Sequence, residues 1–294
     1  MSSSKGQRYE IFDVFAESPY AGNPLAVVHG AAGLDTAEMQ AIAREMNLSE
    51  TAFVLGDAAR DGAHDVRIFT PSHELPYAGH PTLGTAFAIR EACLGGETDA
   101  LVLRLGIGPV RVEFARDGLV WLSAPRATFA AGPDSNLVAA ALGLSPDALD
   151  ARLPLEVATS GWHQLLVPLR DLEALRACRI DAAAHQRLVR AAGPGSLYVF
   201  ARGARDPRNH ICARSFAPDA GVAEDPATGS AAGWLGAYLL RHSALGAADL
   251  DVRIEQGYEI GRPSLLHVRA RRAGEGLHVS VGGRVIPIAR GELI

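Results

Sequence analysis

Two stretches of this chain share one plan, and that repetition constrains the fold more than any other feature. Residues 224 to 240 read Glu-Asp-Pro-Ala-Thr-Gly-Ser-Ala-Ala-Gly-Trp-Leu-Gly-Ala-Tyr-Leu-Leu, and residues 74 to 90 read Glu-Leu-Pro-Tyr-Ala-Gly-His-Pro-Thr-Leu-Gly-Thr-Ala-Phe-Ala-Ile-Arg. Each passes from an acid through proline and glycine to a polar residue and then into an almost wholly apolar helix. A helix that is apolar all round belongs inside a domain. Its first N–H groups have no intrahelical partner and carry partial positive charge, so a buried start needs either capping side chains or an anion. Thr228 and Ser230 are candidate caps, and for a single stretch a capped core helix is the simpler reading. The second copy shifts the balance. Gly79 and Gly229 lie 150 positions apart in 294 residues, one in each half, so two related halves are expected. If the halves face each other, two helix starts converge on one cleft suited to a small carboxylate.

The length suffices for two domains, each with its own core. Hydrophobic residues at 48 % and charged residues at 21 % describe a folded, soluble chain. A formal charge of -5 gives no case for nucleic acid, and the local cluster Arg202, Arg205, Arg208 and Arg214 reads as solvated surface. Cys93, Cys178 and Cys212 show no paired spacing, which argues against a disulfide framework or a zinc site and fits a reducing cytoplasm. The opening Met-Ser-Ser-Ser-Lys-Gly-Gln-Arg-Tyr-Glu is polar where a signal peptide needs an apolar core, and no apolar run reaches membrane-spanning length.

In order along the chain, residues 8 to 15 and 25 to 28 read as strands around the turn Ala-Gly-Asn-Pro. Asn23 in that turn sits at a strand edge, where it serves either a ligand or its own backbone. Asp35 and Glu38 form a capping-box pattern before a surface helix with Met39, Ile42, Ala43 and Met46 on one face. Glu50 then stands at the mouth of a strand. There it is either an ordinary polar entrance residue or, if desolvated, a carboxylate pushed toward neutrality as acid/base work requires. A strand at 64 to 70 leads to the first apolar helix, and strands over 101 to 105, 110 to 114 and 119 to 122 follow it as a meander. The small-residue stretch 124 to 133 reads as a connector at the domain boundary. The second half repeats the plan, with helices near 135 to 142, 171 to 177 and 181 to 191 and strands near 155 to 159, 164 to 168, 196 to 202 and 209 to 216. After the central helix come strands near 250 to 256, 264 to 271, 276 to 282 and 285 to 289. In each half a run of strands brackets one apolar helix, which suggests a sheet curled around it.

Four side chains with chemical potential lie in or beside these motifs: Glu50, His80, Asp225 and Ser230. No histidine pair at helical ligand spacing and no Cys-x-x-Cys occurs, so no metal is expected. No Gly-x-Ser-x-Gly elbow, phosphate-loop lysine or dinucleotide fingerprint is present. Carboxylates, an imidazole and helix-end donors remain, which is equipment for moving a proton on a carboxylate substrate.

The chain resembles the phenazine-biosynthesis PhzF-like family, which shares the diaminopimelate epimerase fold. The resemblance rests on Ala-Gly-Asn-Pro-Leu-Ala-Val-Val at 21 to 28, Leu-Ser-Glu-Thr-Ala-Phe-Val at 48 to 54, and Arg-Ile-Phe-Thr-Pro through Leu-Pro-Tyr-Ala-Gly-His-Pro at 67 to 81. Glu-Asp-Pro-Ala-Thr-Gly-Ser-Ala-Ala-Gly at 224 to 233 and the terminal Gly-Arg-Val-Ile-Pro-Ile-Ala-Arg-Gly-Glu-Leu complete it.

It implies an α+β fold of two pseudo-symmetric domains, each a curled, mostly antiparallel sheet around a central helix, with the active site between them. The domains are expected at 1–126, joined by a returning strand at 283–294, and at 130–282. Glu50 becomes the acid/base with His80 and Asp225 as partners, while Gly79, Gly229 and Ser230 present donors to the substrate and Asn23 lies beside them. Epimerases of this fold use two cysteines at the helix starts. This chain has none there, so a two-thiol racemase is excluded, and one carboxylic acid can instead take a proton from one carbon and return it to another.

The resulting expectation is a cytoplasmic, cofactor-free isomerase of a small unsaturated carboxylate, a homodimer by family likeness, with no nucleic-acid or membrane partner. The alternatives are a non-catalytic carboxylate-binding or protein-interaction member of the family, and an epimerase using Glu50 and Asp225 on opposite faces. Trp234 within the central helix and Tyr77 before the histidine depart from the family pattern and leave substrate identity open.

Overall fold

The β-branched and aromatic run after residue 7 forms strand β1 (Arg8–Val14), and the segment after the Ala-Gly-Asn turn forms β2 (Asn23–Val28). The computed structural model describes residues 6–56, 59–193, 195–274 and 276–294. The opening residues read above for a leader lie partly outside the described residues. Contacts divide the chain into two units, one running to Ser123 and completed by Gly282–Ile294, the other Ala124–Val281.

In the first unit, helix α1 (Thr36–Met46) starts at the expected capping box: the Glu38 amide donates to the Asp35 side chain and the Asp35 amide donates to Glu38. Then come β3 (Glu50–Val54), β4 (His64–Phe69), the short β5 (Glu74–Leu75), the central helix α2 (Gly79–Cys93), and the meander β6 (Ala100–Leu105), β7 (Gly108–Phe114) and β8 (Val120–Ser123). The second unit contains β9 (Thr128–Ala131), α3 (Ser135–Ala141), β10 (Glu156–Thr159), β11 (His163–Leu169), α4 (Leu172–Ala177), α5 (Ala182–Ala192), β12 (Leu197–Arg202), β13 (Ile211–Ala217) and β14 (Val222–Asp225). The central helix α6 (Gly229–Arg241) follows, then β15 (Leu250–Gln256), β16 (Ser264–Ala273) and β17 (Gly276–Gly283), which crosses the boundary; β18 (Val285–Glu292) pairs with β1. The stretch read as a connector at 124 to 133 contains strand β9, which pairs antiparallel with β10. Four residues between turns carry too little alternation to signal a strand whose partner lies far along the chain.

Strand pairing shows the duplication directly. β1–β2 and β10–β11 are antiparallel, β2–β3 and β11–β12 parallel, and β3–β4 and β12–β13 antiparallel. β4–β6 and β13–β15 are then parallel, and β6–β7 and β15–β16 antiparallel. Each unit therefore carries the same mixed sheet, and the molecule is α+β.

Both central helices are enclosed. Ten of the 15 residues of α2 are buried, and it packs against β1, β2, β3, β6, β7, β8 and β18. Eleven of the 13 residues of α6 are buried, with β15 and β16 against it. Interior glycines permit the close approach: a Cβ on Gly84 would lie 2.5 Å from Leu25 Cδ2, and one on Gly236 would lie 2.5 Å from Val268 Cγ1. The other helices cover the opposite sheet faces. α1 packs Met39 and Ala43 against Val28, Phe53 and Phe69, while α3, α4 and α5 pack Leu142, Leu175 and Leu188 against Leu165 and Val199. Strands covered on both faces explain why β2 and β11 read as continuous apolar runs.

One device ties each sheet to the turn before its central helix. Arg67 on β4 donates through Nε and Nη2 to the two Glu74 oxygens at 2.7 and 2.6 Å and lies 5.0 Å from the Phe69 ring centroid. Arg214 on β13 does the same to Glu224 at 2.9 and 2.7 Å, 4.8 Å from the Phe216 ring centroid, and gives Nη1 to the Leu175 and Cys178 carbonyls. Arg214 is thus not part of a solvated surface cluster; its side chain is 4 % exposed and that of Glu224 8 %. Fork-to-fork pairing with aromatic stacking is chemistry that lysine cannot reproduce.

The two clasps differ in burial, because the Arg67 and Glu74 side chains are 26 % and 39 % exposed. Arg214→Met strands a buried carboxylate and is expected to cost about 3–5 kcal/mol. Arg67→Met is expected to cost roughly 1 kcal/mol or less. Urea unfolding of the two variants measures the difference, and equal losses would contradict the assignment.

Candidate functional site

In the first unit three segments meet at one end of the sheet. β2 and β3 run parallel with Leu25 opposite Glu50, so the Asn23-Pro24 turn and the Ser49-Glu50 entrance lie at the same edge. Asn23 is fully buried and its Oδ1 accepts the Ser49 hydroxyl at 3.3 Å. The third segment is the start of α2, where Gly79 and His80 are buried and Ala78, the capping residue, supplies no side-chain bond. The Thr82 hydroxyl instead turns back to the Ala78 carbonyl at 2.6 Å. The first amides of α2 therefore receive no bond from the residue in the capping position.

His80 Nε2 lies 3.4 Å from Glu50 Oε2, with side-chain exposures of 6 % and 16 %. The contact has an ion pair's distance, yet the imidazole is neutral: burial pushes its pKa from 6.5 down to about 3, offset in part by a hydrogen bond to the Pro24 carbonyl. With Nε2 facing Glu50 and out of hydrogen-bond alignment, the Pro24 bond belongs to the other ring nitrogen. That bond assigns the N–H to the Pro24 side and leaves the Nε2 lone pair toward Glu50.

In the second unit the turn before α6 is held by polar side chains. Asp225 ends β14, and the Thr228 hydroxyl donates to its Oδ2 at 2.5 Å. The expected capping by Thr228 and Ser230 is therefore not what the structure shows: α6 has no side-chain cap, because the threonine hydroxyl is taken by the aspartate. Gln256, the last residue of β15, spans the turn. Its Nε2 donates to the Asp225 carbonyl at 2.8 Å and the Thr228 hydroxyl at 3.1 Å, while its Oε1 accepts the Thr228 amide and the Tyr198 hydroxyl. Burial, and secondarily the negative charge of Asp225, push the Tyr198 phenol upward, so Tyr198 remains a donor. Gly229 is buried and Ser230 half-buried at the helix start. Immediately after Gln256 a Cβ on Gly257, at φ +78°, would lie 2.6 Å from the Pro226 carbonyl oxygen and 2.3 Å from that of Arg262. Only glycine lets the backbone approach the turn this closely.

Sequence reading missed Gln256 and the two arginines. The arginines had a signal, Arg-x-Phe-x-Pro at 67 to 71 and at 214 to 218, each ahead of Glu-x-Pro-x-x-Gly. Gln256 had none, since its partners lie at 198, 225 and 228.

The duplicated frame shows where the halves have diverged. Phe53 stands opposite Arg67 and Val199 opposite Arg214. Counting back three residues along both strands places Ser196 at the position of Glu50. The paired glycines likewise place Ser230 at the position of His80. The carboxylate–imidazole pair belongs to the first unit alone.

Comparison with known proteins agrees with this architecture. The family model "Phenazine biosynthesis-like protein", PhzC-PhzF, matches residues 12–291. The trans-2,3-dihydro-3-hydroxyanthranilate isomerase of Pseudomonas chlororaphis is 40 % identical over 299 residues, covering 97 % of this chain and 99 % of that protein. The crystal structure of a PhzF-family phenazine biosynthesis protein from Bacillus anthracis superposes with a TM-score of 0.90 at 26 % identity, covering 99 % of each chain. A hydroxyproline epimerase from Agrobacterium vitis shares the fold with a TM-score of 0.60 at 15 % identity, covering 100 % of this chain and 94 % of that one. The duplicated sheets, the paired helix starts and these full-length likenesses together place the chain in the phenazine biosynthesis-like PhzC-PhzF family, among its isomerases.

Proposed function

We propose that this protein moves a proton between carbons of a small unsaturated carboxylate, with Glu50 as the group that removes and returns it. The observation that carries this reading is the Glu50–His80 pair at the uncapped start of α2, with serines at both matching positions of the other half. A single carboxyl group can accept a proton from one carbon and deliver it to another on the same face while the conjugated double bonds shift. One C–H bond breaks, another forms, and no electrons leave the substrate, so the chemistry itself calls for no redox cofactor.

His80 has a defined part in this scheme. Its neutral ring presents a lone pair to Glu50 and can accept a hydrogen bond from the carboxylic acid, holding the proton-bearing oxygen in place between the two halves of the transfer. The Gly79 and His80 amides at the start of α2, which the Ala78 side chain does not cap, are suited to the negative charge that gathers on the substrate as the proton leaves. Asp225 and the amides of Gly229 and Ser230 are assigned as substrate-holding groups, with Asn23 supporting the Glu50 entrance through Ser49. The names of the relatives make trans-2,3-dihydro-3-hydroxyanthranilate the first substrate to test. A homodimer in the cytoplasm forms part of the same proposal.

An epimerase with one base on each face receives less support, since Ser196 and Ser230 put no carboxylate or imidazole at the matching positions. Asp225 is the one acid of that turn left to serve as a second base, and its Oδ2 already accepts the Thr228 hydroxyl.

Proton exchange separates these readings. In heavy water the wild type is expected to place deuterium in the product, and Glu50→Gln to lower kcat by about 10³-fold with KM changed only a few-fold. Equal rates for the two proteins would remove Glu50 from the mechanism. Asp225→Asn is expected to raise KM more than it lowers kcat; loss of α-proton exchange in that variant alone would favour two bases.

The neutral state of His80 has its own signature. Unfolded, the ring gains a proton as pH falls below 6.5, whereas in the fold it stays neutral down to about 3. The unfolded state thus binds more protons in that window, and stability falls as pH drops from 6.5 toward 3. His80→Asn should flatten this slope in urea unfolding at pH 7, 5.5 and 4. A His80 ring resonance titrating near 6.5 would contradict the assignment.

A further inference from the structure

Gln256 is 1 % exposed and takes no part in the proton transfer proposed above, yet every hydrogen-bonding position of its amide is used. Two of its partners belong to the main chain and settle which way the amide faces. The Asp225 carbonyl can only accept, so it takes an Nε2 hydrogen at 2.8 Å; the Thr228 amide can only donate, so Oε1 lies against it at 3.2 Å. The second Nε2 hydrogen then points to the Thr228 hydroxyl oxygen at 3.1 Å. With that oxygen accepting, the Thr228 hydrogen goes on to Asp225 Oδ2 at 2.5 Å. The Tyr198 phenol, fully buried and kept a donor by its burial, closes the set by donating to Oε1 at 3.1 Å. Each hydrogen in this chain has one direction, and the chain ends on a carboxylate oxygen that accepts. Gln256 thus acts on Asp225 twice, directly on its main chain and through Thr228 on its side chain.

The first half shows that a helix start of this kind folds without such a chain. The matched strands and glycines put Ala52, Leu75, Ala78 and Leu105 at the positions of Tyr198, Asp225, Thr228 and Gln256. None of those four side chains can form a hydrogen bond, and α2 still begins at Gly79 as α6 begins at Gly229. A buried polar set is costly as soon as one member goes unpaired. Four polar groups at four matched positions of the second half therefore answer to something other than folding.

We propose that Gln256 is a positioning residue for the reaction: through Thr228 it fixes the rotamer of Asp225 with an unprotonated Oδ2 turned to the threonine, so that the carboxylate meets the substrate in one orientation. This role rests on the reading of Asp225 as a substrate-holding group.

Steady-state kinetics on trans-2,3-dihydro-3-hydroxyanthranilate, joined to crystal structures of the same full-length variants, test this role. Gln256→Leu copies the first half, and Thr228→Val removes only the relaying hydroxyl. Each is expected to raise KM at least fivefold with kcat within twofold of wild type. Gln256→Glu keeps the volume but puts acceptors where both donors were, and is expected to raise KM more than Gln256→Leu does. A side chain that only fills space predicts the reverse order. In an Asp225→Asn background, Gln256→Leu should change KM less than twofold, since the group it positions is gone. The crystal structures should show the Asp225 carboxylate turned from its wild-type rotamer in both Gln256→Leu and Thr228→Val. An unmoved Asp225 rotamer, an unchanged KM, the reverse order of the two Gln256 variants, or the same fivefold rise in the Asp225→Asn background would overturn the proposal. If Gln256→Leu fails to fold, Thr228→Val decides by the same readings. Should Asp225→Asn itself leave KM unchanged, it is the substrate-holding reading of Asp225 that fails, and the Asp225 rotamer in the variant structures decides the role of Gln256.

Discussion

A helix start that is buried and has no side-chain cap is the constraint on which the rest of this structure depends. α2 and α6 each begin at a glycine, and in each the residue placed to cap offers no side-chain bond to the first amides. Such donors are costly to bury without a partner. The surrounding structure maintains the arrangement: interior glycines bring each helix onto its sheet, and the Arg67–Glu74 and Arg214–Glu224 clasps anchor the segment before each helix. The second turn is further held by Gln256, which satisfies the Thr228 amide and the Asp225 carbonyl. These features fix the backbone at both helix starts, where the partial positive charge of the helix end is suited to an anion.

The duplication supplies the frame, and the differences between the copies supply the chemistry. Matching pairings run through both sheets, so positions can be compared one by one. Where the first copy has Glu50 the second has Ser196, and where the first has His80 the second has Ser230. Gln256 itself has no counterpart in the first copy, where Leu105 ends β6 as Gln256 ends β15. One copy therefore carries an acid beside a neutral imidazole, and the other an aspartate whose carboxylate accepts the Thr228 hydroxyl and whose main-chain carbonyl accepts the Gln256 amide. This division favours the proposed one-base reaction over a symmetric two-base racemase.

Much of this was legible in the sequence, for local reasons. The capping box of α1, the apolar helices and most strands follow from side-chain periodicity and turn chemistry, and the repeated acid–proline–glycine order showed the duplication. The misreadings share a cause. Arg214 looked solvated because a run of arginines signals charge and not burial, and its partner Glu224 lies across a hairpin. Thr228 looked like a cap because its competition with Asp225 for the hydroxyl depends on how the turn closes. β9 was hidden because a four-residue strand owes its existence to β10, where the partner of Thr128 is Thr159, 31 residues away. Gln256 was invisible because its role is defined by three contacts that only the fold assembles.

The stereochemistry of proton transfer tests the central claim most directly. A 2,3-dihydro-3-hydroxyanthranilate carrying deuterium at the carbon that loses its hydrogen should, after a single turnover, yield product in which any retained label sits on the face from which it departed. A lone glutamate beside a neutral imidazole predicts that same-face outcome. Delivery to the opposite face would require a second base and would contradict it.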